Sequence, residues 1–155
     1  MNNEYRATKE WPYQIAAGCV VYRNNDNKTE ILLLFRKESD GKHYHLPKGT
    51  LNRSETLEQC AMRETIEESG ATGTIRVYLG AVHSRFVHPR NNIKNDKITH
   101  YFSMELIDIS DIHDQEHAGL GWFSVKEAIY ELRQTEAVKN EYEIVERFAD
   151  WQKIA

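Results

Sequence analysis

The stretch from Gly49 to Ala71, GTLNRSETLEQCAMRETIEESGA, constrains this chain more than any other. Within it, Arg63-Glu64-Thr65-Ile66-Glu67-Glu68-Ser69-Gly70 sets three carboxylates in five residues at helical spacing. At about 100° per residue, Leu57, Cys60, Ala61, Glu64, Glu67 and Glu68 share an arc of about 120°. A stripe that begins small and apolar thus ends acidic, whereas an ordinary surface helix keeps its charges opposite the apolar stripe. Met62 and Ile66 on the other flank predict cover on a second side. Three like charges beside packed surface repel and raise one another's pKa unless a cation sits among them. Thr56 with Gln59 fits a capping box that starts the helix near Leu57, and Gly70 fits the position just past its end. The acids then fall in the C-terminal half, where the helix dipole disfavours them. A local preference overridden in this way marks a functional site, and a metal ion is the cation to consider first.

The surrounding sequence reads as interleaved strands and helices. Residues 1–12 form a polar lead-in, and 13–155 a single domain of ordinary size. Ile15 to Arg23 and Glu30 to Arg36 are near-continuous apolar runs joined by Asn24-Asn25-Asp26-Asn27, a hairpin buried on both faces. After a turn at Ser39 to Lys42, His43 to Gly49 is a short extended piece stopped by Pro47, which leads into a loop from Gly49 to about Glu55. Thr74 to His83 is a strand, His88 to Lys97 a polar loop, and Ile98 to Ile107 a strand alternating between two faces. Asp108 to Gly121 is acidic and loop-like, followed by a short strand at Trp122-Phe123. Ser124 and Glu127 form a second capping box for a helix to about Leu132, and a last helix spans about Glu136 to Gln152. The expected class is α/β (α+β), with helices on both faces of a mixed sheet.

Composition narrows the partners. A net charge of −4 and no long basic run exclude a general duplex nucleic-acid surface. The N-terminal residues carry no apolar signal core, and no stretch approaches a membrane span. Cys19 and Cys60 sit in apolar or small-residue contexts and read as buried thiols of a reducing compartment, so a cytoplasmic location is expected. The sequence carries no signal of oligomeric state.

The spacing Gly49, five residues, Glu55, seven residues, then Arg63-Glu64-x-x-Glu67-Glu68-x-Gly70 resembles the signature of the Nudix hydrolases. Every charged and glycine position is filled; Thr65 and Ala71 occupy two positions usually held by large aliphatic residues. The resemblance implies an α/β/α sandwich around a central mixed sheet, with the signature at 49–71. It also implies a pyrophosphohydrolase dependent on Mg²⁺, with Mn²⁺ as a possible substitute. By the same resemblance Glu67 and Glu68 are metal ligands, and Glu64 is a ligand or the base for the attacking water. Mg²⁺ itself suits a few carboxylates together with substrate phosphates and water. Arg63 is better placed to pair with Glu67 or Glu55 than to touch substrate.

Tyr44-His45-Leu46-Pro47-Lys48-Gly49, with Glu116-His117 shortly before Trp122, looks like the diadenosine tetraphosphate hydrolase branch. There Lys48, beside Gly49, would meet phosphate and Glu116 would add a carboxylate; the alternatives are an exposed lysine and an ordinary loop acid. Leu120 departs from that branch, where an aromatic residue often stacks on adenine. Tyr101 or Tyr44 could supply the ring, or simply pack. Arg90, Lys94 and Lys97 form a clamp for remote phosphates or a solubilising loop. His83, His88 and His100 read as satisfied polar residues, and Trp11, Trp122 and Trp151 as packing residues. The first-choice substrate is a dinucleoside polyphosphate. A nucleoside triphosphate, a 5′-triphosphorylated RNA end and an inositol pyrophosphate are alternatives, and a Nudix-fold nucleotide sensor that cleaves nothing is the competing reading from another class.

Overall fold

Two apolar runs pair first. In the computed structural model, which describes residues 4, 8, 9, 12–38, 41–87, 89–110, 119–135 and 140–154, β1 (Tyr13–Asn25) and β2 (Lys28–Glu38) form an antiparallel hairpin. Its two-residue turn, Asp26-Asn27, has φ of 48° and 63°. Asp and Asn tolerate this left-handed region, and such turns match the twist of the flanking strands. Then follow β3 (Gly41–His45), β4 (Lys48–Thr50), α1 (Leu57–Ser69), β5 (Ala71–Val87), β6 (Lys94–Ile109), β7 (Gly119–Ser124), α2 (Val125–Gln134) and α3 (Glu141–Gln152).

The strands form one mixed sheet in the order β3-β2-β1-β6-β5, with β4 added to β1 and β7 to β2. β1 and β6 run parallel, and the other pairs antiparallel. Side chains alternate along β1, so each face carries its own core. On one face Ala17, Cys19, Val21 and Leu32 pack with Phe102 and Met104 against Cys60 and Ala61 of α1. On the other, Val20, Ile31, Leu33 and Tyr101 pack against Ala128 and Leu132 of α2 and Ile144, Val145 and Phe148 of α3. The result is the expected α/β/α sandwich. No helix among the described residues is long and apolar enough to cross a membrane.

Both capping boxes form. Thr56 Oγ1 accepts from the Gln59 N–H at 3.1 Å while the Gln59 side chain accepts from the Thr56 N–H at 2.9 Å. Ser124 and Glu127 repeat the exchange at α2. Gly70 ends α1 at φ 77°, its N–H donating to the Ile66 carbonyl at 2.8 Å.

Several expectations need correction. The loop expected from Gly49 starts later, because Gly49 and Thr50 continue a strand from Lys48 whose backbone finds an open edge of β1, with Gly49 opposite Ala17. The polar segment after β5 is shorter than expected, since residues 94–97 pair with residues 84–87 and join β6. The last described helix starts at Glu141, and residues 136–139 lie outside the described residues. Finally, α1 is covered on one side. Its buried residues are Cys60, Ala61, Thr65 and Ser69, while Met62 and Ile66 are 36% and 43% exposed.

Candidate active site

The buried stripe of α1 runs through Cys60, Ala61, Thr65 and Ser69, which sets Glu64, Glu67 and Glu68 along its edge. There the helix meets β4, and each carboxylate is held differently. Arg63 is the hub. Its guanidinium grips Glu55 with two prongs, Nε to Oε2 at 2.9 Å and Nη2 to Oε1 at 2.5 Å. Nη1 donates to Glu64 Oε1 at 2.8 Å and to Glu67 Oε2 at 3.3 Å, and Nη2 also reaches the Thr50 carbonyl at 3.0 Å. Arg63 therefore pairs with both anticipated partners and ties β4, the following loop and the helix together. A planar fork suits this multiple engagement better than an ammonium would.

The electrostatics follow from these contacts. The guanidinium beside Glu55, with the Asn52 N–H at 2.8 Å, holds that carboxyl below its ordinary range against the opposing effect of burial. Glu64 is shifted the other way. Burial raises it and outweighs the lowering by Arg63, with the Glu67 charge adding to the rise.

Gly49 explains how Glu64 fits. A Cβ built on Gly49 would lie 2.0 Å from Glu64 Cδ and 2.1 Å from Oε2. The carboxylate lies against bare backbone, and any side chain there would displace it. One turn on, Glu68 Oε2 accepts from the Lys48 N–H at 3.3 Å. Two glutamates of the helix thus press on successive residues of β4.

Among the described residues no three His, Cys, Asp or Glu side chains form a ready-made metal cage. The donor set nevertheless fits a hard cation that keeps waters and shares substrate phosphates, since such an ion needs only one or two carboxylates from the protein. Glu64 and Glu68 lie one turn apart, both against β4, and burial holds the Glu64 carboxyl above its ordinary range, so its charged form is costlier there than in water.

The outer candidates are placed less compactly. Lys48 lies beside the carboxylates, but its Nζ donates to Glu141 Oε2 at 3.3 Å. Tyr101 is 1% exposed and its hydroxyl donates to the same Glu141 oxygen at 2.5 Å, so its ring is not presented for stacking on a base. Tyr44 is half-buried between Phe35 and Phe123, at centroid distances of 5.6 and 5.2 Å. Leu120 packs with the core on the α1 side.

The proposed basic clamp does not assemble. Lys94 and Lys97 are three residues apart on one strand and point to opposite faces. The registers put Lys94 six residues, roughly 20 Å, along the sheet from the level of Gly49. There it lines a cleft of about 360 Å³ with Pro12, Arg85 and Phe86, among others, while Arg90 is exposed in the turn. Glu116, His88 and Trp11 lie outside the described residues. His83 pairs with Asp96, and His100 with the Tyr78 hydroxyl at 2.9 Å. Trp122 packs under the Arg23 guanidinium, and Trp151 against Tyr22 and Phe148.

The residue that sequence reasoning missed is Glu141. It is 2% exposed and bonded to three groups from two distant parts of the chain, and no local pattern announces it.

The NUDIX domain family model matches residues 12–148, from β1 into α3 and including the acidic helix. The chain belongs to the Nudix family. Among curated relatives, Nudix hydrolase 21, chloroplastic, of Arabidopsis thaliana is 33% identical over 121 residues, 76% of this Nudix chain and 59% of the relative. The chain thus spans less than two thirds of that relative's length. Among solved structures, a C. elegans Ap4A hydrolase binary complex shares the fold at a TM-score of 0.63 and 22% identity, covering 90% of this chain and 98% of the other. The NUDIX domain of Shewanella oneidensis NrtR complexed with ADP ribose aligns at 0.69 with 16% identity, covering 90% and 88%.

Proposed function

We propose that this Nudix protein is a pyrophosphohydrolase that cleaves a nucleoside diphosphate linked to another moiety, with a dinucleoside polyphosphate as first-choice substrate. The observation that carries the reading is the contact of Glu64 and Glu68 with successive residues of β4, Gly49 and Lys48. Carboxylates so placed would hold Mg²⁺, or Mn²⁺ in its stead, which supplies charge neutralisation on the phosphate oxygens. Glu67, 56% exposed and only loosely held by Arg63, remains available as a further ligand.

The chain's own groups do the rest. The Lys48 side chain is 20% exposed and its Nζ uses one contact on Glu141, which leaves donors for a phosphate oxygen. Glu64 would serve as ligand or as acceptor of the water proton, and burial moves its carboxyl in the direction a proton acceptor needs. Arg63 engages carboxylates and one carbonyl, and so acts by fixing Glu64 and not by touching substrate. Displacement at phosphorus needs little from a protein beyond such positioning and charge.

The dinucleotide preference draws on the Tyr44 to Gly49 segment and on the fold shared with the Ap4A hydrolase. The buried free thiols of Cys19 and Cys60 suit a reducing compartment such as the cytoplasm.

A Mg²⁺-dependent panel decides the substrate, containing diadenosine tetraphosphate, ADP-ribose, nucleoside triphosphates, triphosphorylated RNA and inositol pyrophosphate, with ¹⁸O-water marking the attacked phosphorus. ATP plus AMP from diadenosine tetraphosphate is the expected result. Pyrophosphate released from triphosphates alone would move the assignment to house-cleaning, and no turnover of any member would favour a nucleotide sensor. Glu68→Gln should lower kcat by about a thousandfold or more with the circular dichroism spectrum unchanged. Wild-type turnover in that variant would overturn the assignment of Glu68.

A further inference from the structure

The geometry points to Glu141 as a positioning residue: it fixes the Leu46-Pro47-Lys48 segment so that the Lys48 amide holds Glu68 while the Lys48 ammonium is anchored on Glu141 itself. The inference rests on the pyrophosphohydrolase reading above for its consequence in catalysis.

A row across the sheet builds the site. Lys48 of β4 lies opposite Gly18 of β1, and Gly18 lies beside Tyr101 of β6. Gly18 is bare where a Cβ would meet the Pro47 carbonyl at 2.2 Å and Lys48 Cβ at 2.7 Å. Across this gap Lys48 and Tyr101 converge on one oxygen of Glu141, at 3.3 and 2.5 Å, while its other oxygen accepts from the Leu46 N–H at 3.1 Å. A carboxylate 2% exposed is costly to bury, and three donors make it tenable. Its helix gains no cap from the neighbouring Asn140, which makes no side-chain cap bond. Glu141 is directed toward the Leu46-Pro47-Lys48 turn instead.

The turn is held from three directions. Glu141 holds the Leu46 N–H, the Cys19 N–H donates to the Pro47 carbonyl at 3.1 Å, and the Lys48 N–H donates to Glu68 Oε2 at 3.3 Å. Glu141 thus acts on Glu68 through two residues of backbone. Groups that orient a metal ligand from outside are worth about 10–100-fold in metal affinity or activity.

The test is Glu141→Gln, which keeps an acceptor for Leu46 but turns an amide NH₂ toward the lysine. Three readouts apply: Lys48 amide exchange by NMR, Mn²⁺ binding by electron paramagnetic resonance, and the split of kcat against KM. Lys48 amide exchange should rise about tenfold, with Val20 and Ser103 unchanged as core controls. Mn²⁺ affinity should fall about tenfold, and kcat should fall with KM little changed. Should that variant not fold, Tyr101→Phe removes a single donor and should shift the same readouts about threefold. A folded variant whose Lys48 exchange and Mn²⁺ affinity stay within about twofold of wild type overturns the proposal. If wild type cleaves no pyrophosphate, the activity reading falls, while the amide and Mn²⁺ readouts still decide the role of Glu141.

Discussion

Thr65 and Gly49 show how single side chains set the terms of this site. Thr65 is fully buried at a position where the Nudix signature usually holds a large aliphatic residue, and its hydroxyl makes no hydrogen bond of normal geometry among the described residues. The neighbouring Cys19 thiol, which burial pushes up to about 12, is at most a weak partner. Thr65→Val exchanges this hydroxyl for a methyl of similar shape. It should stabilise by about 1 kcal/mol and raise Tm by about 2–4 °C in calorimetry; a lower Tm would show that the thiol satisfies the hydroxyl after all. At Gly49 the effect is on function. Gly49→Ala places a methyl where the Glu64 carboxylate lies, so Glu64 must turn away. Turnover should drop at least about tenfold with Tm little changed, as read by paired kinetics and calorimetry.

Elements were legible in the sequence wherever their signals are local. Thr56 with Gln59, and Gly70 at the end, delimit α1 because caps act within one turn. Thr56→Ala should cost about 1 kcal/mol, visible as a lowered midpoint in urea; an unchanged midpoint would mean that packing alone defines the start. The carboxylate face was legible for the same reason, since helical spacing converts directly into geometry. Strands mislead where helices do not. Arg90, Lys94 and Lys97 are close in sequence, yet an odd separation along β6 sends the two lysines to opposite faces. β4 is only three residues long, too short for periodicity, and exists because β1 offers it an edge. Glu141 was invisible for a different reason: its partners lie 40 to 95 residues away, so only the assembled sheet brings them together.

At the scale of the whole molecule, the two carboxylates beside Arg63 tie stability to pH with opposite sign. Glu55 has a folded pKa below its unfolded value of 4.5, chiefly through the hydrogen bonds from Arg63. Its contribution is present above that pH and is lost as pH falls through the folded value. Glu64 has a folded pKa above 4.5 because of burial. The folded state binds the Glu64 proton more tightly, so that contribution is present below pH 4.5 and declines as pH rises through the folded value. Tm measured against pH in EDTA should separate the two. Glu55→Gln should flatten the acid limb and lower Tm at neutral pH, since Arg63 loses its two-pronged partner. Glu64→Gln should leave the acid limb intact and raise neutral Tm by about 1–3 °C. A fall in neutral Tm would mean that the Arg63 bond outweighs burial and that the folded pKa of Glu64 lies below its unfolded value. Mg²⁺ then supplies the counter-test. A ligand that binds only the folded state stabilises it by mass action, and an ionised Glu64 is the form that binds a cation. Added Mg²⁺ should therefore raise the wild-type Tm and remove most of the advantage of Glu64→Gln. The buried Glu64 carboxylate is thus expected to weaken the metal-free fold, and a bound cation to restore what it takes away.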